Sequence, residues 1–522
     1  MTDKMENWLK LITQQRVRGE GTSGHWLRVP ASSEELRNIV QILCGDIHWA
    51  FAGIVPERDD AGDGFHLLYV FYSDNGVLVG IEVHNHEQSI PTISDILFAA
   101  DWQEREMEDL FNLSFKGHPQ LGNFVLHDEQ WPEGLAPMAR DIIHILGNEK
   151  AAAETVTPQI VKASGSFVMT VGPIFSGSEE SIQFFLETVG EEIIFAHIRP
   201  FYKYRAIEKL LEGKSFTVAL LLAERINGHA AFAHAWALAQ ALERLSDLPI
   251  SARAQRLRVF WAEFERIRLH VRTLARILES TGLSVPANLM HALEEDLLQL
   301  GAIYGGHRYL FGLLRLGGLS RDWSASDLEG ICARVDETVS KCEMLIKNLT
   351  FDNSFLDRLE SVGMLTKQLA LDHGLVGPVA RASGLQRDLR KWQTYGAYRH
   401  LKFDVPTQNE GDGYARFRQL FDEILQSAGL MKQIPQDFSN VDAVSRSATF
   451  RSGMAFGAVE GPNGAIFYNV GIRPDGTVKS CRIITPGLVN WHAFPDAIRH
   501  FTFQDFPIIL ATFGLSVADL DR

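Results

Sequence analysis

Apolar residues recur every three or four positions through Arg253 to His270, where Leu257, Phe260, Phe264 and Ile267, continued by Val271 and Leu274, predict a long helix with one buried face. Two β-rich apolar runs, Phe65–Tyr72 and Val77–Val83, are separated by Ser73-Asp74-Asn75-Gly76. Asn75 and Gly76 both tolerate the positive φ of a tight type I′ turn, so the pair predicts a hairpin. Leu221 to Glu243 reads as a loop followed by an Ala-rich helix. Its small residues favour helix and leave room for another helix or a partner protein to approach closely. Residues 142 to about 165 show no clear apolar period, which predicts a linker. The patterning therefore divides the chain into a domain mixing helices and strands over 1–145, a linker over 146–165 and a larger remainder over 166–522.

The chain has 522 residues, 46% of them apolar, enough for two or more domains with substantial cores. A net charge of −15 argues against nucleic acid or anionic lipid as the main partner. No apolar run approaches the roughly 18 to 20 residues that cross a bilayer, and the polar start does not resemble a signal peptide, so a cytoplasmic location is expected. Cys44, Cys332, Cys342 and Cys481 are widely spaced. They predict buried thiols, neither a thiolate metal site nor a disulfide framework.

Asp101-Trp102-Gln103-Glu104-Arg105-Glu106-Met107-Glu108-Asp109-Leu110-Phe111, followed by Phe115-Lys116-Gly117-His118-Pro119 and by Pro137 to Asp141, resembles the W-x-E-R-E-x-x-D-x-F and F-x-G-H-P signature of the C-type subunits of NADH:quinone oxidoreductase, respiratory complex I. The resemblance implies a docking domain without catalysis. Read as residues alone, so dense a mixture of carboxylates and Arg is a solvated helix face or an ion-pair network.

From Phe167 onward the chain resembles the D-type subunits of complex I and the large subunit of energy-converting nickel–iron hydrogenases of the formate hydrogenlyase type. The resemblance is carried by Gly172-Pro173-Ile174-Phe175-Ser176, Tyr204-Arg205-Ala206-Ile207-Glu208-Lys209, Arg225-Ile226-Asn227-Gly228-His229-Ala230, the helix Arg253–His270, Gly377 to Gly384 with Asp388 and Arg390, Gly411 to Arg416, and Glu460-Gly461-Pro462-Asn463-Gly464. It implies an α+β chain: an N-terminal α/β domain, then a mainly α-helical domain like a nickel–iron hydrogenase large subunit, ending in a small strand-rich part.

The family's chemistry is altered here. Hydrogenases of this kind hold nickel and iron by four thiolates, and those positions are Asn227, Ala230, Ser516 and Asp519. Hydroxyl, amide and carboxylate groups are harder ligands and poor substitutes for sulfur, so no metal is expected on this chain. Complex I binds its quinone headgroup through a His and a Tyr, and those positions are Phe175 and Gly228. Tyr204 and Asn227 remain as candidate donors to a quinone or other acceptor, and Glu180, His229, Arg381 and Asp388 as candidate catalytic residues. Glu180 matches a proton-transfer carboxylate of the hydrogenases; the alternative is an exposed acid beside Glu179. His229 and His234, five apart on a helix, do not share a face. Arg381 and Asp388 are also expected in a buried polar network. The resemblance implies a small iron–sulfur partner subunit, membrane subunits of a proton or cation pump, and a peripheral place on the inner face of the cytoplasmic membrane. Two functions stay open: an electron-transferring component that reduces a quinone or another acceptor, or a non-catalytic scaffold coupling redox and membrane modules.

Overall fold

A computed structural model describes residues 26–46, 48–58, 65–74, 76–84, 89–127, 131, 136–138, 164–176, 178–246, 248–435 and 449–522. The predicted linker over 146–165 lies outside them except for Ser164 and Gly165.

The N-terminal part is a four-stranded sheet in the order β1-β4-β3-β2, built from β1 (Trp26–Ala31), β2 (Ala50–Arg58), β3 (Phe65–Tyr72) and β4 (Leu78–His84). Helix α1 (Ser33–Gln41) starts from a capping box in which Ser32 and Glu35 exchange hydrogen bonds, satisfying two backbone N–H groups that a helix start leaves unpaired. Strands β3 and β4 pair antiparallel as predicted, with Tyr72 opposite Leu78. The turn differs from the expected one. Ser73 N donates to Val77 O at 3.0 Å and Gly76 adopts φ 76°, so the chain reverses through three residues, with Gly76 in the left-handed position of a longer hairpin loop. Asn75 lies outside the described residues.

Alternation gives this sheet two apolar faces. Leu67, Tyr69 and Phe71 join one core with Leu36, Val40, Met107 and Leu110, while Leu68, Val70 and Tyr72 pack on Phe456, Phe467 and Ile484 from the C-terminal part. A sheet covered on both sides reads as a continuous apolar run, which explains the composition of Phe65–Tyr72.

After β5 (Ser166–Val171), β6 (Gln183–Val189) and β7 (Glu192–Arg199), an antiparallel sheet, the chain becomes mainly helical. Its long elements are α2 (Ala231–Arg244), α3 (Ala252–Ser280), α4 (Ser284–Leu300), α5 (Ala325–Leu349) and α6 (Gly413–Gln433). Leu257, Phe260, Phe264, Ile267, Val271 and Leu274 are all fully buried, as the periodicity predicts. The expectation of one buried face was too narrow, because Arg258, Glu263, Glu265, Arg266, Arg268 and His270 on the other sides of α3 are buried too.

A second antiparallel sheet, β8 (Gly453–Gly461), β9 (Gly464–Ile472) and β10 (Val478–Ile484), closes the fold. The Ala-rich α2 uses its lack of bulk against this sheet, where another helix or a partner protein was expected. A Cβ on Gly457 would overlap the carbonyl oxygen of Ala237 and come within 3.0 Å of Ala241 N. Gly457→Ala should therefore force strand and helix apart and lower stability by about 1–3 kcal/mol, read as a shift in the denaturation midpoint. An unchanged midpoint would mean that the seam yields freely. Of the four thiols, Cys332, Cys342 and Cys481 are buried as expected, while Cys44 is partly exposed.

Candidate functional site

The W-x-E-R-E helix (Asp101–Phe111) is no solvated face. Glu104 is fully buried and accepts from Ile93 N at 2.8 Å and from the Thr92 hydroxyl, and burial pushes its carboxyl up to about 7. Asp109 Oδ2 accepts from the backbone N–H groups of Phe124, Val125 and Leu126 at 2.7 to 3.2 Å. The Arg105 guanidinium lies 4.2 Å from the Phe124 ring centre. Glu104, Arg105 and Asp109 thus hold the N-terminal part together from within. Glu106 reaches furthest, accepting from Arg482 at 2.9 and 2.7 Å and from Arg522 at 2.6 and 2.9 Å. Glu208 completes this buried quartet, 3.3 Å from Arg482. At the start of the same helix, His118 and His492 both approach Asp101, at 3.2 and 3.3 Å. His492 bonds His373 at 2.8 Å, and His373 bonds Asp496 at 2.9 Å.

The candidate cavity lies at the start of α2. Asn227 accepts from His229 N at 3.0 Å and so shapes the turn Gly228–Ala230 that leads into the helix. The cavity measures about 50 Å³ and is lined by Glu179, Glu180, Asn227, His229, Arg272, Asn463 and Ser516, among others. That is room for a few water molecules.

Arg205 holds the frame of this cavity. Its guanidinium donates to the carbonyl oxygens of Arg225 (2.7 Å) and Ile226 (2.8 Å) on one side and Ala518 (2.7 Å) on the other. One side chain thereby ties the turn bearing Asn227 to the C-terminal segment bearing Ser516. The sequence alone did not single it out, although its place in Tyr204-Arg205-Ala206-Ile207-Glu208-Lys209 was a signal.

Of the predicted residues, Glu180, His229 and Asn227 meet in the cavity. Glu180 turns toward the exposed Lys203 at 2.9 Å. Its neighbour Glu179, itself exposed, meets His229 Nε2 at 3.2 Å and Arg272 at the mouth of the cavity. The His229 hydrogen bond, against partial burial and with Arg272 adding its charge, holds the Glu179 carboxyl at about 2. His229 and His234 diverge as expected: His234 is buried, 3.1 Å from the Tyr468 hydroxyl and 3.5 Å from Asp519. Tyr204 does not line the cavity. Burial, then Glu208 and Glu106, push its phenol well above the ordinary range.

Arg381 and Asp388 do not line the cavity either and belong to a buried network. Arg381 donates to Glu423 at 2.7 and 3.1 Å and to Glu460 at 2.8 Å, and approaches Asp388 at 3.7 Å. Arg390 bridges Asp388 and Glu263 at 2.6 and 3.0 Å. Burial, with Asp388 nearby, raises the Glu460 carboxyl, while Arg381 and the His270 hydrogen bond outweigh burial and hold Glu423 well below the ordinary range. Arg266 donates to Glu460 O and Gly461 O at 2.7 and 2.9 Å, so the network fixes the turn that carries Asn463 to the cavity wall.

A nickel–iron centre does not fit this donor set. Ala230 offers no ligand atom, Asp519 faces His234, and the hard donors Asn227 and Ser516 are what remain. No metal-ligating residues were expected from the sequence, yet the structure gathers His66, Glu82 and His84 on the N-terminal sheet, with ligand atoms all within 4.8 Å of one another. The hairpin register, which sets His66 opposite His84, was the available signal.

Residues 29–144 match the family described as the 30 Kd subunit of respiratory-chain NADH dehydrogenase, and residues 281–449 match its 49 Kd subunit. The chain is 24% identical to the C/D 2 subunit of NADH-quinone oxidoreductase from Aquifex aeolicus, over 94% of this chain and 92% of the relative. It is 25% identical to formate hydrogenlyase subunit 5 of Escherichia coli, over 88% of this chain and 82% of the relative. With the D subunit of NADH-quinone oxidoreductase from Dehalococcoides mccartyi it shares 27% identity over 68% of this chain and 98% of the relative.

Proposed function

We propose that this chain, which joins a 30 Kd-type segment to a 49 Kd-type segment as a fused C/D-type subunit, serves in a membrane-associated respiratory or energy-converting oxidoreductase complex without a nickel–iron centre of its own. The observation that carries the reading is the cavity at the start of α2. Arg205 preserves its frame, Glu179, His229 and Arg272 pair with one another along its wall, and none of the four thiolate positions carries a sulfur. Its partners would be a small iron–sulfur protein and membrane subunits of a proton or cation pump, which would hold it at the inner face of the cytoplasmic membrane. Among the described residues no helix is long and apolar enough to cross a membrane, in keeping with peripheral attachment through such partners. The division into 1–145, 146–165 and 166–522 belongs to the same proposal, and the buried quartet supports a docked arrangement of its two larger parts.

The small size of the cavity favours the scaffold as a second reading. Sites for small organic ligands are usually several-fold to many-fold larger, roughly 300–1,000 Å³, and neither Phe175 nor the glycine at 228 brings a side-chain donor to a headgroup. Phe175 instead packs edge-on against Phe184. Purification of the native complex with metal analysis and a quinone reductase assay tests both statements. We expect no stoichiometric nickel and weak or absent quinone turnover. Nickel in this chain would overturn the first. Robust quinone turnover, abolished by His229→Ala with the composition of the complex unchanged, would overturn the second and place the acceptor beside the Glu179–His229 pair.

A further inference from the structure

His66, Glu82 and His84 share one face of the β3–β4 ribbon because of its register. His66 stands directly opposite His84, and Glu82 lies two residues before His84, so alternation turns all three side chains to the same side. The same face carries Leu68, Val70 and Tyr72, which pack on the C-terminal sheet at Phe456, Phe467 and Ile484. The three polar residues continue it past the apolar seam. The next residue across the sheet, Glu57 opposite His66 on β2, bonds Asn469 of β9 at 3.3 Å. The trio therefore occupies the rim of the seam between the N-terminal and C-terminal sheets.

The distances suit coordination. Glu82 Oε1 is 3.6 Å from His66 Nδ1 and 3.8 Å from His84 Nε2, and the two imidazole rings meet edge to face with centres 3.8 Å apart. Imidazole and carboxylate ligands at about 2.0–2.2 Å from a tetrahedral ion stand roughly 3.3 Å from one another. Small side-chain rotations bring all three donors onto one cation. The side chains are 24%, 21% and 38% exposed, so water reaches the trio, and the three donors found among the described residues leave a fourth position of a tetrahedral ion to another ligand. Two neutral imidazoles and one carboxylate select a borderline first-row divalent ion over calcium or magnesium, which prefer all-oxygen sites.

We propose that His66, Glu82 and His84 bind a divalent transition-metal ion, zinc by its donor set, that clips β3 to β4 at the rim of the seam between the two sheets. The site shares no residue with the α2 cavity and is independent of any reading of it. The ion is structural: it fixes the open end of the ribbon and, through its fourth position, presents a water molecule or an outside ligand at the edge of the N-terminal part.

The full chain, stripped of metal with a chelator, is titrated with zinc chloride alone and separately with cobalt chloride. Because the chain contains 18 His, stoichiometry is joined to location. We expect one tight equivalent, a visible cobalt spectrum of a low-coordinate nitrogen–oxygen site, and at least a tenfold loss of affinity in Glu82→Gln and in His84→Asn, with metal-free circular dichroism unchanged. A second measurement needs no variant. Zinc should protect His66 and His84 of the native sequence from diethyl pyrocarbonate, read by peptide mass spectrometry. Absence of saturable binding, tight binding that survives the double change His66→Asn with His84→Asn, or equal modification of both residues with and without zinc would each overturn the proposal.

Discussion

Replacing Arg381 by methionine should lower the stability of the chain by roughly 3–5 kcal/mol, since removing one partner of a buried ion pair leaves the others uncompensated. Arg381 is fully buried and faces three carboxylates, Asp388, Glu423 and Glu460. Without it, Glu423 keeps His270 at 3.0 Å, and among the described residues Glu460 keeps the Leu389 N–H alone on its carboxylate, at 3.1 Å. The cost also has a spatial reach. Arg266 holds the turn after Glu460 by its carbonyl oxygens, so the cavity wall at Asn463 should loosen with the network. Denaturant unfolding checks the magnitude, and a loss below about 1 kcal/mol would mean that the network is reorganised at little cost. The double change Arg381→Met with Glu460→Gln should cost less than the sum of the single changes, because both act on one pair.

Glu106→Ala should cost a comparable amount, about 3–5 kcal/mol, and should change how the protein responds to acid. Burial opposes ionisation of Glu106, but Arg482 and Arg522 outweigh it and hold the carboxyl at about 2, against about 4.5 in the unfolded chain. Its contribution is fully present above pH 4.5 and is lost as the pH falls through 2. A shift of that size corresponds to about 3 kcal/mol. Stability of the wild type should therefore fall between about pH 4.5 and 2, with a shallower slope in the alanine variant. Glu104 acts in the opposite sense. Its carboxyl, raised to about 7 by burial, contributes stability below pH 4.5 that is lost as the pH rises through 7, and Glu104→Gln should flatten that part of the profile. Identical acid limbs in wild type and Glu106→Ala would show that the quartet does not carry the acid response.

Local rules made the helical core legible. Leu257 to Leu274 follow a 3.6-residue period that is visible in any window of the chain, and every one of these side chains is buried. The β3–β4 pair was equally legible, but not its turn, because an Asn-Gly pair fits both a two-residue loop and a longer one with glycine in the left-handed position. The candidate site was legible only in part. The resemblance placed Asn227, Ser516, His229 and Glu180 together, and all four line the cavity, but it did not point to Glu179, which pairs with His229 and Arg272 beside Glu180. Arg205 and the quartet were not legible, since Arg205 contacts residues 313 and 316 positions away and Glu106 reaches Arg522 across 416. No periodicity connects such partners. Arg381 and Asp388 were expected in a buried network and occur in one, but their distance from the cavity depends on where α6 and β8 place Glu423 and Glu460.

The Arg205 clamp separates architecture from chemistry. All its bonds to the two walls of the cavity end on carbonyl oxygens, at Arg225, Ile226, Ala518 and Asp521, and none depends on the side chains at 227, 230, 516 or 519. The clamp is thus indifferent to which side chains stand there, although Asn227 also shapes its own turn. Donors grafted at 516 and 227, the two of these positions that line the cavity, would meet a frame held by the backbone, where an engineer could build a new centre without redesigning the fold around it.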